Sequence, residues 1–129
     1  MKKTGESKPT EAELAILQVL WDQGPSTVRQ VQDVLEAERG TGYTTTLKLM
    51  QIMFEKGLLK RDDGQRSHIY APAVSRQKTQ RRMVGDLLEQ AFGGSAHELV
   101  MQALAAKKAS PEELREIRQL VEHMEREQR

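Results

Sequence analysis

Thr44, Lys48, Gln51 and Glu55 recur at intervals of four, three and four residues. At about 100° per residue this spacing puts all four on one side of a helix. Thr46, Leu49, Met50 and Met53 follow the complementary pattern of a core-facing stripe. The outward set is suited to hydrogen bonding with a polyanion. Thr44 and Thr45 offer hydroxyls at a helix N-terminus, where backbone amides also attract phosphate. Lys48 and Gln51 can donate to base edges or to phosphates, and Leu47, on the flank, can touch a thymine methyl. Glu55 opposes phosphate, so contacts should concentrate in the first two turns. Shortly downstream, Lys60, Arg61, Arg66 and His68 form a local cationic set. A polar helix face alone is often no more than a solvated surface. The basic residues that follow it favour contact with nucleic acid.

Catalytic constellations are lacking by comparison. His68, His97 and His123 are the only histidines, and none has a metal-ligand partner at helical spacing. Asp62-Asp63 is better explained by turn chemistry than as a carboxylate pair. There is no glycine-rich phosphate loop and no serine elbow. The absence of cysteine removes disulfides, thiolate metal sites and a cysteine nucleophile together. No enzyme activity, metal or cofactor is expected.

The elements that must position the polar face can be read along the chain. Thr10-Glu11-Ala12-Glu13 is a capping box. It opens a first helix running to about Asp22, with Leu14, Leu17 and Trp21 on one face and Ile16 and Leu20 beside them. Gly24-Pro25 stops it. Ser26 can cap a second helix with apolar Val28, Val31 and Leu35, broken at Gly40-Thr41-Gly42. The third helix fits Tyr43 to Lys56, with Gly57 as its left-handed terminator. Leu58 to Arg61, a turn at Asp62-Asp63-Gly64-Gln65, and Arg66 to Tyr70 then read as a hairpin closed by Pro72. Three helices and a hairpin make a mainly α fold, the winged helix-turn-helix.

Beyond Ser75 the pattern is wholly helical. Arg76, Lys78, Arg81 and Arg82 lead into an apolar stretch that contains Leu87 and is interrupted at Gly93-Gly94. Ser95-Ala96-His97-Glu98 reads as a second capping box, opening a helix with Leu99. Ser110-Pro111-Glu112-Glu113 reads as a third, with proline where its missing amide costs nothing. Leu114, Ile117, Leu120 or Val121, and Met124 form the last stripe. These helices are too short to bury their stripes against each other alone. Pairing with a second chain is the expected solution, with Leu87, Leu99, Leu114, Ile117, Leu120, Val121 and Met124 in the interface. The expected organisation is a disordered tail over 1–9, a winged helix over 10–74 and a helical dimerisation arm over 75–129.

Size and composition fit a small helical domain with an appendage. The 129 residues are 37% hydrophobic but only 4% aromatic, so the core must be aliphatic and small. No apolar stretch nears the roughly 20 residues of a membrane span, and the polar start has no secretion signal. A cytoplasmic location without membrane insertion is expected. Net charge is only +1, and residues 1–74 hold ten basic and ten acidic side chains. Nucleic-acid binding must therefore rest on where charges sit, since bulk charge does not supply it.

Several segments together resemble the penicillinase-repressor family, whose members include methicillin-resistance repressors and copper-responsive regulators. They are Thr10-Glu11-Ala12-Glu13-Leu14-Ala15-Ile16-Leu17, Leu20-Trp21, Thr27-Val28-Arg29-Gln30-Val31, Tyr43-Thr44-Thr45, Glu55-Lys56-Gly57-Leu58-Leu59 and Tyr70-Ala71-Pro72. The resemblance implies a homodimeric repressor on an inverted-repeat operator in double-stranded DNA, often governing a resistance operon. It implies DNA contact by the third helix and wing, matching Thr44, Thr45, Lys48, Gln51 and Arg66. The sequence departs at Ile52, where many relatives carry an arginine. Copper-responsive members carry C-terminal cysteines, which this chain lacks. In the antibiotic-responsive branch a membrane-bound sensor metalloprotease triggers cleavage in the arm. The bond corresponding by ungapped match is Gln102-Ala103, which reads equally as ordinary helix. The alternative function is a winged-helix module that binds a protein partner and no DNA. Glu55 and the neutral charge of residues 1–74 are its support.

Overall fold

The computed structural model describes residues 8–64 and 66–129. Most of the expected disordered tail and Gln65 of the expected turn lie outside the described residues. The element order is α1 (Glu11–Gln23), α2 (Val28–Arg39), α3 (Tyr43–Lys56), β1 (Leu59–Asp62), β2 (Ile69–Pro72), α4 (Arg76–Phe92), α5 (Ala96–Ala106) and α6 (Pro111–Glu127). This is the winged helix-turn-helix that the hydrophobic pattern predicts, followed by further helices. The chain divides into two compact units, residues 1–83 and 84–129.

In the first unit, Thr10 opens α1 with a complete capping box: its hydroxyl accepts from the Glu13 amide and Glu13 accepts from the Thr10 amide. Thr27, one residue later than expected, caps α2 and exchanges the same pair of bonds with Gln30. Ser26 is taken up elsewhere. Its backbone exchanges two hydrogen bonds with Tyr70, at 2.9 and 2.8 Å, an isolated bridge that stitches the α1–α2 loop to β2. Its carbonyl, which a cap would offer to the first intrahelical amide, accepts from Tyr70 instead, and its hydroxyl donates to the Gly24 carbonyl at 2.8 Å.

The core is aliphatic, as the composition requires. Ile16, Leu17 and Leu20 of α1, Val31 and Leu35 of α2, and Met50 and Met53 of α3 are buried. Leu58, Leu59 and Tyr70 close it from the hairpin. Thr46 joins them, completely buried, because its hydroxyl donates to the Gly42 carbonyl at 3.0 Å and leaves no unsatisfied polar group. Gly57 stops α3 at φ 84°, ψ 12°, a left-handed geometry that strains any residue with a Cβ. The chain can therefore turn at once into β1.

β1 and β2 pair antiparallel, with Arg61 opposite Tyr70 and Leu59 opposite Pro72. The first strand is shifted by one residue from the expected Leu58 to Arg61, and the second starts later than expected. Arg66, Ser67 and His68 belong to the connecting loop, so the second arm of the hairpin begins only at Ile69. Ladder pairing stops at Asp62, whose carboxylate accepts from the Gly64 amide at 2.9 Å and turns the chain away.

The indole of Trp21 donates to the Val74 carbonyl at 3.1 Å, and Asp22 pairs with Arg76. These bonds fasten the segment after the hairpin to the end of α1.

In the second unit, Gly93 and Gly94 take positive φ between α4 and α5. Ser95 accepts from the Glu98 amide, but the return bond of a full capping box is missing. At α6 both bonds of the Ser110–Glu113 box form, with Pro111 in the first turn. Neither α5 nor α6 has a buried residue. Leu99 and Ile117 are half-buried, while Leu87, Leu114, Leu120, Val121 and Met124 are exposed. Within the second unit these apolar stripes are largely exposed among the described residues. No helix among the described residues is long and apolar enough to cross a membrane.

Candidate nucleic-acid interface

The polar face of α3 forms as the helical spacing requires. Thr44, Thr45, Lys48 and Gln51 are exposed, as is Glu55 at the far end. Gly42 caps the helix without a side-chain hydrogen bond, so the first-turn amides remain open beside the two threonines. Leu47 is half-buried and rests on the core, which fixes the flank of the face.

Beside this helix the first unit has a cleft of about 310 Å³. Three elements build its walls: Thr27 to Arg29 at the start of α2, Tyr43, Leu47 and Gln51 on α3, and Arg66 to His68 in the wing loop. Tyr70 closes the floor, held by its bridge to Ser26. The structure thus brings Leu47, Gln51, Arg66 and His68 together from two distant stretches of sequence. Thr44, Thr45 and Lys48 lie outside the lining, on the exposed surface of the same helix.

The remaining wing residues are deployed differently. Along β1 side chains alternate, so Lys60 and Arg61 leave opposite faces of the strand. Arg61 lies with its guanidinium carbon 4.2 Å from the centre of the Phe54 ring on α3 and donates to Asp63 at 2.6 Å. The bond to the Asp63 carboxylate holds the guanidinium above its ordinary pKa. His68 Nδ1 lies 3.6 Å from the same carboxylate. Lys60 lines a second cleft, away from Gln51 and Arg66.

Two residues missed by the sequence reading complete the site. Arg29 lies over the Tyr43 ring at 4.7 Å from its centre, and both line the cleft. A cation–π contact at that distance aims the guanidinium along the ring face. The available signal was Arg29 two residues beyond the Thr27 cap. Tyr43 opens the first turn of α3.

Charge is segregated within the first unit. Arg29, Arg66 and His68 line the cleft, and among the described residues no carboxylate does. Glu11, Asp22 and Glu38 instead line a separate groove between α1 and α2, where Arg39 pairs with Glu11 at 3.4 Å. Neutral bulk charge is thereby reconciled with a locally cationic surface. A phosphate backbone would meet positive charge, hydroxyls and open amides there. Among the described residues, no group of three histidine or carboxylate side chains is placed to hold a metal ion.

The sequence pattern of the penicillinase repressor family matches residues 9–123. Over 82 residues the chain is 35% identical to the transcriptional regulator BlaI of Mycobacterium tuberculosis, from strain CDC 1551 / Oshkosh and equally from strain ATCC 25618 / H37Rv. That match spans 63% of this chain and 59% of the relative's length. The fold is similar to the solution structure of the DNA-binding domain of the repressor BlaI, with a TM-score of 0.50 at 22% identity. The likeness covers 59% of this chain and 90% of that domain.

Proposed function

The chain belongs to the penicillinase repressor family, and from that membership we propose that it is a homodimeric, cytoplasmic transcriptional repressor. It grips an inverted-repeat operator through two copies of the winged helix. Thr44, Thr45, Lys48 and Gln51 enter the major groove on α3. Arg29 and Arg66 flank that helix and hold the phosphate backbone. Tyr43 and His68 support them, Leu47 meets the base edges from the flank, and Lys60 and Arg61 belong to the wing without reaching into this cleft. The observation that carries the reading is a local gathering of charge: an otherwise neutral unit places Arg29, Arg66 and His68 around the polar helix in a cleft whose described lining holds no carboxylate, while Glu11, Asp22 and Glu38 line a different groove.

The dimer follows from what one reading head cannot do. A single winged helix reads only a few base pairs. Two heads on half-sites one or two helical turns apart, roughly 34–36 Å per turn, gain affinity through effective concentration. The apolar stripes of α5 and α6, uncovered within one chain, supply the surface that joins them. Derepression proceeds by loss of that arm. A membrane-bound sensor protease triggers a cut at Gln102–Ala103, both exposed in α5, which severs α6 from the reading head.

Selection of bound duplexes from a random pool tests the reading. An inverted repeat with half-sites a whole number of turns apart is the expected product. Enrichment of a single asymmetric half-site would remove the dimer from the proposal. No enrichment, with no duplex binding even at low salt, would remove DNA and leave a protein partner for the same surface.

A further inference from the structure

The second cleft of the first unit, about 630 Å³ in volume, takes no part in the interface above. Four cations line it: Lys8, Lys60, Lys78 and Arg82. Among the described residues no carboxylate lines it, and none of the four cations pairs with one. Between the cations the wall is apolar, from Pro9 and Leu58 to Val74 and Met83. Pro9 and Leu58 are buried and Val74 and Met83 half-buried, so this wall is part of the packed structure. Thr79, only 8% exposed, adds a hydroxyl to the same lining.

We propose that this cleft is a binding site for a small amphipathic anion, a carboxylate carrying an apolar body. Four like charges around one concavity repel one another, and a single anionic head relieves that repulsion. An apolar tail laid on Leu58, Val74 and Met83 leaves the water that wets them. The volume lies in the range of pockets that hold small organic ligands, roughly 300–1,000 Å³. A duplex backbone fits less well. A phosphodiester chain has no use for an apolar floor, and Lys60 leaves β1 on the face opposite Arg61, which packs on α3. The site does not depend on the operator reading, since the two clefts share no lining residue.

The residues also suit a device that couples occupancy to the wing. Leu58 and Lys60 flank the start of β1, and Lys78, Thr79 and Arg82 lie on the first turns of α4. A bound anion bridges the two elements and stiffens the wing against α4.

Octanoate, with 1-octanol and octylammonium as uncharged and cationic counterparts, is the probe. Titrated into the 129-residue chain and followed by amide chemical shifts, octanoate is expected to saturate and to move Lys60, Val74, Lys78 and Thr79. The two counterparts should leave those signals in place. Lys78→Gln with Arg82→Gln should weaken octanoate by about tenfold or more, with Trp21 fluorescence unchanged as the check on folding. Three results would each overturn the proposal. One is the lack of a saturable shift at these residues. Another is equal movement by 1-octanol. The third is a double variant that binds octanoate normally yet loses affinity and salt dependence on random duplex, which would make this surface a contact for the DNA backbone.

Discussion

The Glu13 carboxylate accepts from Lys56 Nζ at 2.8 Å and, through its other oxygen, from the Thr10 amide at 3.0 Å. One nearly buried carboxylate therefore completes the cap of α1 and fastens the last turn of α3 to it. Helix α3 carries the polar face, so this pair ties that face to the rest of the unit.

Glu13→Gln should destabilise the protein by about 1.5–3 kcal/mol near neutral pH, the usual worth of a hydrogen bond to a charged group. Burial on its own would push the Glu13 carboxyl up. The Lys56 and Thr10 hydrogen bonds and the Lys56 charge outweigh it and hold the group below the ordinary carboxylate value. A depressed pKa contributes stability that is complete above the unfolded value and lost as pH falls through the folded one. Urea denaturation at neutral pH and again in strong acid should therefore show a difference between parent and variant that shrinks in acid. An equal difference at both ends would show that the pair's charge contributes nothing.

Trp21 makes a second tie of this kind. Its indole donates to the Val74 carbonyl, and Arg76 lies 5.6 Å from its ring centre while pairing with Asp22. Trp21→Phe keeps a ring against the core and deletes the donor, together with part of the indole's contact area. About 1 kcal/mol of stability should go with it, read from the urea midpoint with an unchanged slope. No measurable loss would mean that water replaces the indole at Val74.

How much was legible in the sequence followed the range of the forces involved. The α3 face was legible because a helix repeats locally: burial of Thr46, Met50 and Met53 fixes the exposure of Thr44, Lys48 and Gln51 without reference to any other element. The glycine stop at Gly57 was legible for the same reason. Ser26 and Thr27 were not separable, since both are good caps and a bridge to Tyr70, 44 positions away, decides between them. Arg29 and Tyr43 escaped because their meeting depends on how α2 crosses α3. The division of Lys60 from Arg61 follows from strand alternation once the register is known, and the register depends on where the hairpin loop ends. That loop proved longer than the Asp-Gly pair suggested.

This division gives a prediction about the wing. Arg66→Ala and Arg29→Ala should each weaken duplex binding across sequences and lower the salt slope by about one phosphate contact. Lys60→Ala should leave both nearly unchanged, because its ammonium lines the other cleft. Fluorescence anisotropy on a random duplex at several salt concentrations separates the cases. A slope lost with Lys60 and kept without Arg66 would place the backbone on the wrong side of the hairpin.

The last prediction concerns the arm. Leu120 is 59% exposed on α6, and Leu114, Val121 and Met124 are exposed along the same helix. Exposed large apolar side chains repeating at helical spacing contribute little to a lone helix, and the proposed pairing with a second copy would remove them from water. A carboxylate at Leu120 would be buried by that pairing without a partner, a cost of several kcal/mol per ion that a modest interface cannot offset. Leu120→Asp should therefore sediment as a monomer at concentrations where the parent is a dimer. Its reading head, remote in sequence, should keep its fold and its weak binding to random duplex. Affinity for the full inverted repeat should fall toward that of a single half-site, since the gain from linking two heads is lost. A variant that stays dimeric would show that the chains pair through other surfaces, and the stripe of α6 would then need a different occupant.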